Sequence, residues 1–108
     1  MNIPKELYMT RLRDRSCTRE SFRMSAHSIS SILAYECLQL VTTKSREIQT
    51  PIGVARGLYT NQHVTLVIVL RSGTAMLSSF LNVFPAANIG VVGLKRDEQT
   101  GKAHWYYK

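Results

Sequence analysis

Acidic residues are scarce in this chain. Seven Asp and Glu stand against fourteen Lys and Arg, a formal net charge of +7. A balance of that sign asks for an anionic partner. Cysteine is scarce too. Cys17 and Cys37 match neither a metal-ligand spacing nor a disulfide framework, so they read as free thiols of a reducing compartment, and a cytoplasmic protein is expected. No protein metal site is expected. Long apolar runs are absent, the longest being Leu66 to Leu70, whereas crossing a membrane takes about 20 residues. The opening MNIPKELYMTRLRDR has no apolar core of a secretory signal. Neither a membrane nor an export role is expected.

The bases crowd the first quarter, at Lys5, Arg11, Arg13, Arg15, Arg19 and Arg23, with Glu6, Asp14 and Glu20 interleaved. Mixed signs favour a solvated face over a nucleic-acid stripe. No zinc-finger spacing, aromatic RNA-binding string or basic heptad accompanies them, and nucleic acid stays only as an alternative class.

At 108 residues the chain reads as a single domain, 1–108, able to bury about two thirds of its unfolded surface. Thr18 caps a predicted helix with Glu20 in its first turn. Its apolar stripe comprises Phe22, Ala26, Ile29, Leu33, Cys37 and Leu40, with most serines off it. Glu36 borders that stripe and is expected half-buried beside a cation. REIQTPIGVARGLY, with Pro51 and Gly53 as punctuation, reads as a hairpin or a bent edge strand. Val64–Leu70 is β-branched and uninterrupted, as in a strand covered on both faces. Residues 74–84 carry Met76, Leu77, Phe80, Leu81 and Phe84 at helical spacing and stop at Pro85. Ile89–Leu94 is a second buried strand, and Thr100-Gly101 turns an outlying arm. Strand, helix, strand makes a right-handed βαβ unit in an α/β protein, but two parallel strands are few for a complete sheet.

Ligands of open α/β sheets lie beyond the carboxyl ends of the strands. That place is Arg71-Ser72-Gly73-Thr74. Gly73 admits close backbone approach, the following helix aims N–H groups outward, and Arg71 offers a fork of donors to phosphate oxygens. Arg96 ends the next strand on the same rim. The competing reading makes Ser72 or Thr74 a helix cap and leaves both arginines in solvent. No Walker loop or GxGxxG supports a nucleoside triphosphate or a dinucleotide.

LVIVLRSGTAM is similar to the V-P-I-L-R-A-G-L-G-M stretch of the uracil phosphoribosyltransferases. LRDRSCTRESFR resembles their L-R-D-x-x-T-x-x-x-x-F-R, ILAYEC their L-L-A-Y-E-A, and IQTPIG their V-x-T-P-L-G. IGVVGLKRDEQT resembles I-G-x-I-G-L-Y-R-D-E-E-T, and WYYK the x-Y-Y-x-K of a β-arm. The motifs follow family order from about residue 10 to residue 108. The resemblance implies a partial type I phosphoribosyltransferase fold, with parallel strands, flanking helices and a β-hairpin arm. It implies transfer of phosphoribosyl from phosphoribosyl pyrophosphate to uracil, giving UMP and pyrophosphate, with Mg²⁺ accompanying the phosphoribosyl pyrophosphate. Arg71, Ser72, Gly73, Thr74 and Arg96 would hold that substrate, and no catalytic residue is assigned. Ala75 replaces a family glycine, Cys17 a threonine and Gln99 a glutamate. The family's D-P-M-L-A-T-G-G loop and uracil-binding segment lie beyond the matched stretch, so no uracil-binding residue is expected here. The chain is expected to be an N-terminal half, inactive alone and oligomeric through the 98–108 arm and an exposed sheet edge. A non-catalytic, phosphate-binding or oligomerising remnant is the alternative.

Overall fold

A computed structural model describes residues 2–107; Met1 and Lys108, the last residue of the WYYK motif, lie outside the described residues. Helix α1 (Ile3–Arg13) begins where Asn2 accepts a hydrogen bond from the Lys5 N–H and Pro4 occupies the first turn. There the missing proline donor costs nothing. Thr18 caps α2 (Arg19–Leu38), accepting from the Ser21 N–H. An ion pair of 2.7 Å between Lys5 Nζ and Glu36 Oε1 ties the two helices, so the cation expected beside Glu36 is there, but Glu36 is exposed and not half-buried.

Next comes an antiparallel hairpin, β1 (Lys44–Thr50) and β2 (Gly53–Tyr59), joined by Pro51-Ile52 and paired from Lys44↔Tyr59 to Thr50↔Gly53. Of the two readings open at this stretch, the hairpin is the observed one. The turn explains Gly53, whose φ of +142° suits only glycine. The βαβ unit follows as β3 (Thr65–Leu70), α3 (Thr74–Val83) and β4 (Asn88–Arg96). Strands β3 and β4 pair in parallel from Thr65↔Asn88 to Leu70↔Gly93, and β5 (Ala103–Tyr107) adds antiparallel to β4 across a bulge at Gly93/Leu94. Among the described residues the sheet order is β3-β4-β5, with the β1-β2 hairpin separate.

The buried stripe of α2 differs from the expectation. Ser25, Ser30 and Ala34 are the buried residues, while Phe22 and Leu40 are 50% and 84% exposed and Cys37 is exposed. Helix α2 packs against both α1 and α3. Close approach to two neighbours selects small side chains, so hydrophobic spacing alone misplaces the contact face. Ser79 of α3 completes this joint. It is 2% exposed, accepts from Ser31 Oγ at 3.3 Å, and lies 3.1 Å from His27 Nδ1 and 3.3 Å from the His27 carbonyl. Helix α1 was not foreseen; its charges hid the Asn2 cap and Pro4.

Strand β3 is not covered on both faces. Ile68 is buried at 8%, whereas Val67 and Val69, on the other face, are 60% and 41% exposed. Apolar burial below a tenth is confined to Ala34, Ile68 and Phe84 among the described residues. A compact chain of 12.2 kDa exposes about 6,100 Å², but this one exposes 8969 Å². Its radius of gyration is 18.5 Å, against about 13 Å for a compact domain of this length. Among the described residues the fold has the elements of a layered α/β protein, with one face of β3 exposed and no further strand paired to the outer edge of β3 or of β5.

Candidate functional site

The loop after β3 is built by its own backbone. Gly73 N–H donates to the Val69 carbonyl at 2.8 Å, and Thr74 N–H and Thr74 Oγ1 both donate to the Arg71 carbonyl, at 3.2 and 2.7 Å. Gly73 is the N-cap of α3 with ordinary helical φ of −61°, so it is not needed for backbone freedom. It is needed for space: a Cβ there would lie 2.5 Å from Val69 O and 2.9 Å from Val69 N. The loop folds down onto the strand it leaves. The Leu70–Arg71 peptide is cis.

This geometry changes the expected donor set. The amides of Gly73 and Thr74 are spent inward, so of the three N–H groups expected to face a ligand only that of Ser72 donates to no backbone carbonyl among the described residues. The capping reading also fails in detail, because neither Ser72 nor Thr74 caps α3 with its side chain. What remains outward is Arg71, the Ser72 N–H and hydroxyl, and the lone pairs of Thr74 Oγ1. Ala75 is exposed and does not crowd the turn.

Arg96 is the last residue of β4. Leu70 is level with Gly93, so Arg96 stands two residues beyond the level of Arg71, about 7 Å further along the strand direction. Both arginines are exposed, and neither guanidinium makes an ion pair or hydrogen bond among the described residues. Two unpaired forks offset by about 7 Å along one rim suit an extended polyphosphate better than a single small anion.

Sequence reasoning missed the residue that orders this rim. Asp97 Oδ1 accepts from Gln99 N–H at 2.8 Å and Thr100 N–H at 2.9 Å, and Gly101, at φ +72°, closes the turn. The Thr100 and then the Gln99 amide hold the Asp97 carboxyl below the ordinary aspartate range. The Asp-x-x-Thr-Gly spacing was a legible signal for it. Tyr106 lies against Gly93, where a Cβ would meet its ring at 2.6 Å, so a glycine in mid-strand admits the arm. No group of three or more His, Cys, Asp or Glu gathers for a metal among the described residues. The loop itself carries no carboxylate, so these residues do not form a resident Mg²⁺ site.

A parallel strand pair whose first strand ends in an Arg-Ser-Gly-Thr turn, with a second arginine ending the neighbouring strand, belongs to a partial α/β fold. The family model for uracil phosphoribosyltransferase matches residues 5–108, and the chain belongs to that family. A uracil phosphoribosyltransferase of Dictyoglomus turgidum is 38% identical over 100 residues, covering 92% of this chain and 48% of that protein. One of Lactiplantibacillus plantarum is 37% identical over 100 residues with the same coverage of 92% and 48%. The solved structure of the AQ2163 protein from Aquifex aeolicus superposes with a TM-score of 0.78 at 32% identity, over 97% of this chain and 50% of that one. The chain thus spans about half the length of the relatives it matches.

Proposed function

We propose that this chain carries the pyrophosphate-gripping part of a uracil phosphoribosyltransferase. Phosphoribosyl pyrophosphate would lie across the strand ends, its pyrophosphate against Arg71, the Ser72 N–H and Arg96. In the transfer, the bond from ribose C1 to pyrophosphate oxygen breaks, taking its electron pair with the pyrophosphate, and a bond from C1 to uracil N1 forms as N1 gives up its proton to solvent or to the departing pyrophosphate. Charge builds on the leaving pyrophosphate as the ribose becomes oxocarbenium-like, and fixed cations at that point lower the barrier. Mg²⁺ would travel on the phosphate oxygens of the substrate, and no step here depends on it.

The observation that carries this reading is the pair of unpaired arginines at one rim, within a chain matched by the family over residues 5–108. No described helix is long and apolar enough to cross a membrane, and a cytoplasmic setting fits a nucleotide substrate. The 98–108 arm, with Trp105, Tyr106 and Tyr107 each exposed by more than half, would reach a neighbouring subunit.

The resemblance implies that the family's ribose 5-phosphate loop and uracil-binding segment lie beyond the matched stretch. Positioning two reactants contributes roughly 7–11 kcal/mol to such reactions, so the chain alone is expected not to turn over. The assay is UMP formation from radiolabelled uracil, phosphoribosyl pyrophosphate and Mg²⁺, with and without a separately expressed C-terminal half of a relative. Activity restored only by the second half supports the reading, and activity in neither case favours a non-catalytic anion binder. A pyrophosphate titration of wild type against Arg71→Ala separates those outcomes from error about the site. Equal affinity in both would remove Arg71 from it.

A further inference from the structure

Three serines are exposed by 2% or less among the described residues, and two of them have partners. Ser30 Oγ donates to the Ala26 carbonyl at 2.7 Å, and Ser79 holds the joint with His27 and Ser31. Ser25, at 1% exposure, is different. Its hydroxyl does not bond the carbonyl one turn back, as Ser30 does, and it makes no other hydrogen bond among the described residues. No completely enclosed side-chain oxygen there lacks a partner, so the sliver of Ser25 that stays accessible is Oγ itself. A buried hydroxyl left unpaired is costly, and it marks a place where something else forms the bond.

That oxygen opens into a cleft of about 300 Å³ between α1 and the first half of α2. Ser21, Ser25 and Ser28 are spaced four and three apart, so they set one line of hydroxyls along the α2 wall. Two charged side chains line the same cleft, Arg11 from α1 and Glu20 from α2. They are opposite in sign and both exposed, yet neither makes an ion pair among the described residues. Arg11 is held instead over the Tyr8 ring, 5.5 Å from its centroid. All of this is built from residues 8–28, two consecutive helices and the turn between them.

The charges decide what fits. A free anion is opposed by Glu20, a free cation by Arg11, and a neutral polyol leaves both unanswered. We propose that the cleft binds a small zwitterion, a free α-amino acid with a short side chain. Its carboxylate accepts from the planar fork of Arg11. Its ammonium group, with three N–H donors, serves the Glu20 carboxylate and the lone pairs of the hydroxyl line. Ser25 can donate and accept, so it can serve either end, and its oxygen gains a bond when the cleft is filled. Met24 offers apolar contact to a short side chain, and the volume stands at the small end of ligand pockets. The site shares no element with Arg71 or Arg96 and does not rest on the transferase reading. Its test involves neither turnover nor pyrophosphate.

The test is an amide chemical-shift titration of the ¹⁵N-labelled chain, all 108 residues, with three matched probes. L-Alanine carries both charges, L-lactate keeps the carboxylate without the ammonium, and isopropylammonium keeps the cation without the carboxylate. L-Alanine is expected to shift amides within residues 8–28 saturably, and the other two to bind at least about tenfold more weakly. Arg11→Gln and Glu20→Gln, both at exposed side chains, should each weaken L-alanine by at least about tenfold. Ser25→Ala should weaken it by at least about fivefold while leaving the melting temperature unchanged or higher, because the hydroxyl has no partner to lose. A structural serine would do the reverse, lowering the melting temperature and sparing affinity, and that result overturns the proposal. L-Lactate or inorganic phosphate binding as tightly as L-alanine would make this a plain anion site, and glycerol doing so a polyol site; either overturns it. No saturable shift at residues 8–28 up to about 50 mM L-alanine would leave water as the partner of Ser25 and overturn it too. If Ser25→Ala unfolds, the probe series and the two exposed variants still decide.

Discussion

Replacing Gly73 by alanine adds one methyl group at the point where the loop after β3 touches its own strand. The new Cβ would stand 2.5 Å from Val69 O and 2.9 Å from Val69 N, with Ile68 Cγ2 at 3.2 Å. The first two are backbone atoms of β3, so the relief cannot come from a side-chain rotation. Ordinary contact begins near 3.4 Å, so loop and strand must separate by most of an ångström. That stretches the 2.8 Å bond from Gly73 N–H to Val69 O beyond use. One lost hydrogen bond costs about 1 kcal/mol and overpacking about 1–3 kcal/mol, together about 2–4 kcal/mol. For a domain of this size the melting temperature should fall by about 8 °C or more. The control is Gly101→Ala, at φ +72° with no atom within 4 Å, where the cost is backbone conformation alone, about 1–2 kcal/mol. Thermal melts followed by circular dichroism give the stabilities, and calorimetric titration with pyrophosphate gives the affinities. Gly73→Ala should lose both stability and pyrophosphate affinity; Gly101→Ala should lose stability only. A Gly73→Ala protein melting within about 2 °C of wild type would refute the packing argument.

Other perturbations separate the joints of the fold. Ser79→Ala removes the hydroxyl shared by His27 and Ser31 and should cost about 1–2 kcal/mol in urea unfolding, while Ser79→Leu should cost more by forcing α2 and α3 apart. Glu36→Gln should change stability by less than about 1 kcal/mol, because both partners of the Lys5 pair are a third or more exposed. Asp97 has a lowered pKa, so its contribution to the arm is complete above about pH 4 and fades as the pH falls through the lowered value. Trp105 fluorescence should report the arm loosening in acid, and Asp97→Ala should show the loosened signal already at neutral pH. An Asp97→Ala signal identical to wild type at neutral pH would count against that role.

Much of the element order was legible because it rests on local signals. Thr18 starts α2, Pro85 follows the end of α3, and Pro51 and Gly53 bracket the hairpin turn. The β-branched run before Arg71 and the run before Arg96 became parallel strands, so both arginines reach one rim as the pattern implied. What the pattern misjudged was contact. A spacing of three and four finds the apolar side of α2 but not the side its neighbours choose, and the neighbours chose Ser25, Ser30 and Ala34. Likewise an uninterrupted apolar strand predicts cover on both faces, but Val67 shows that cover depends on which other elements are present.

The sequence by itself determined the family, the order of elements and the placement of an arginine at the end of each parallel strand. These follow from local propensity, turn chemistry and motif spacing, which act within a few residues. Only the tertiary structure decided which amides of the Arg-Ser-Gly-Thr loop stay free. The loop folds back onto its strand and itself, so that Gly73 N–H is taken by the Val69 carbonyl and Thr74 N–H by the Arg71 carbonyl. Only it showed that Val67 and Val69 lie exposed while Ile68 between them is buried. How a loop settles against its strand, and which faces stay without a neighbour, depend on where whole elements come to rest, and local propensity does not encode that.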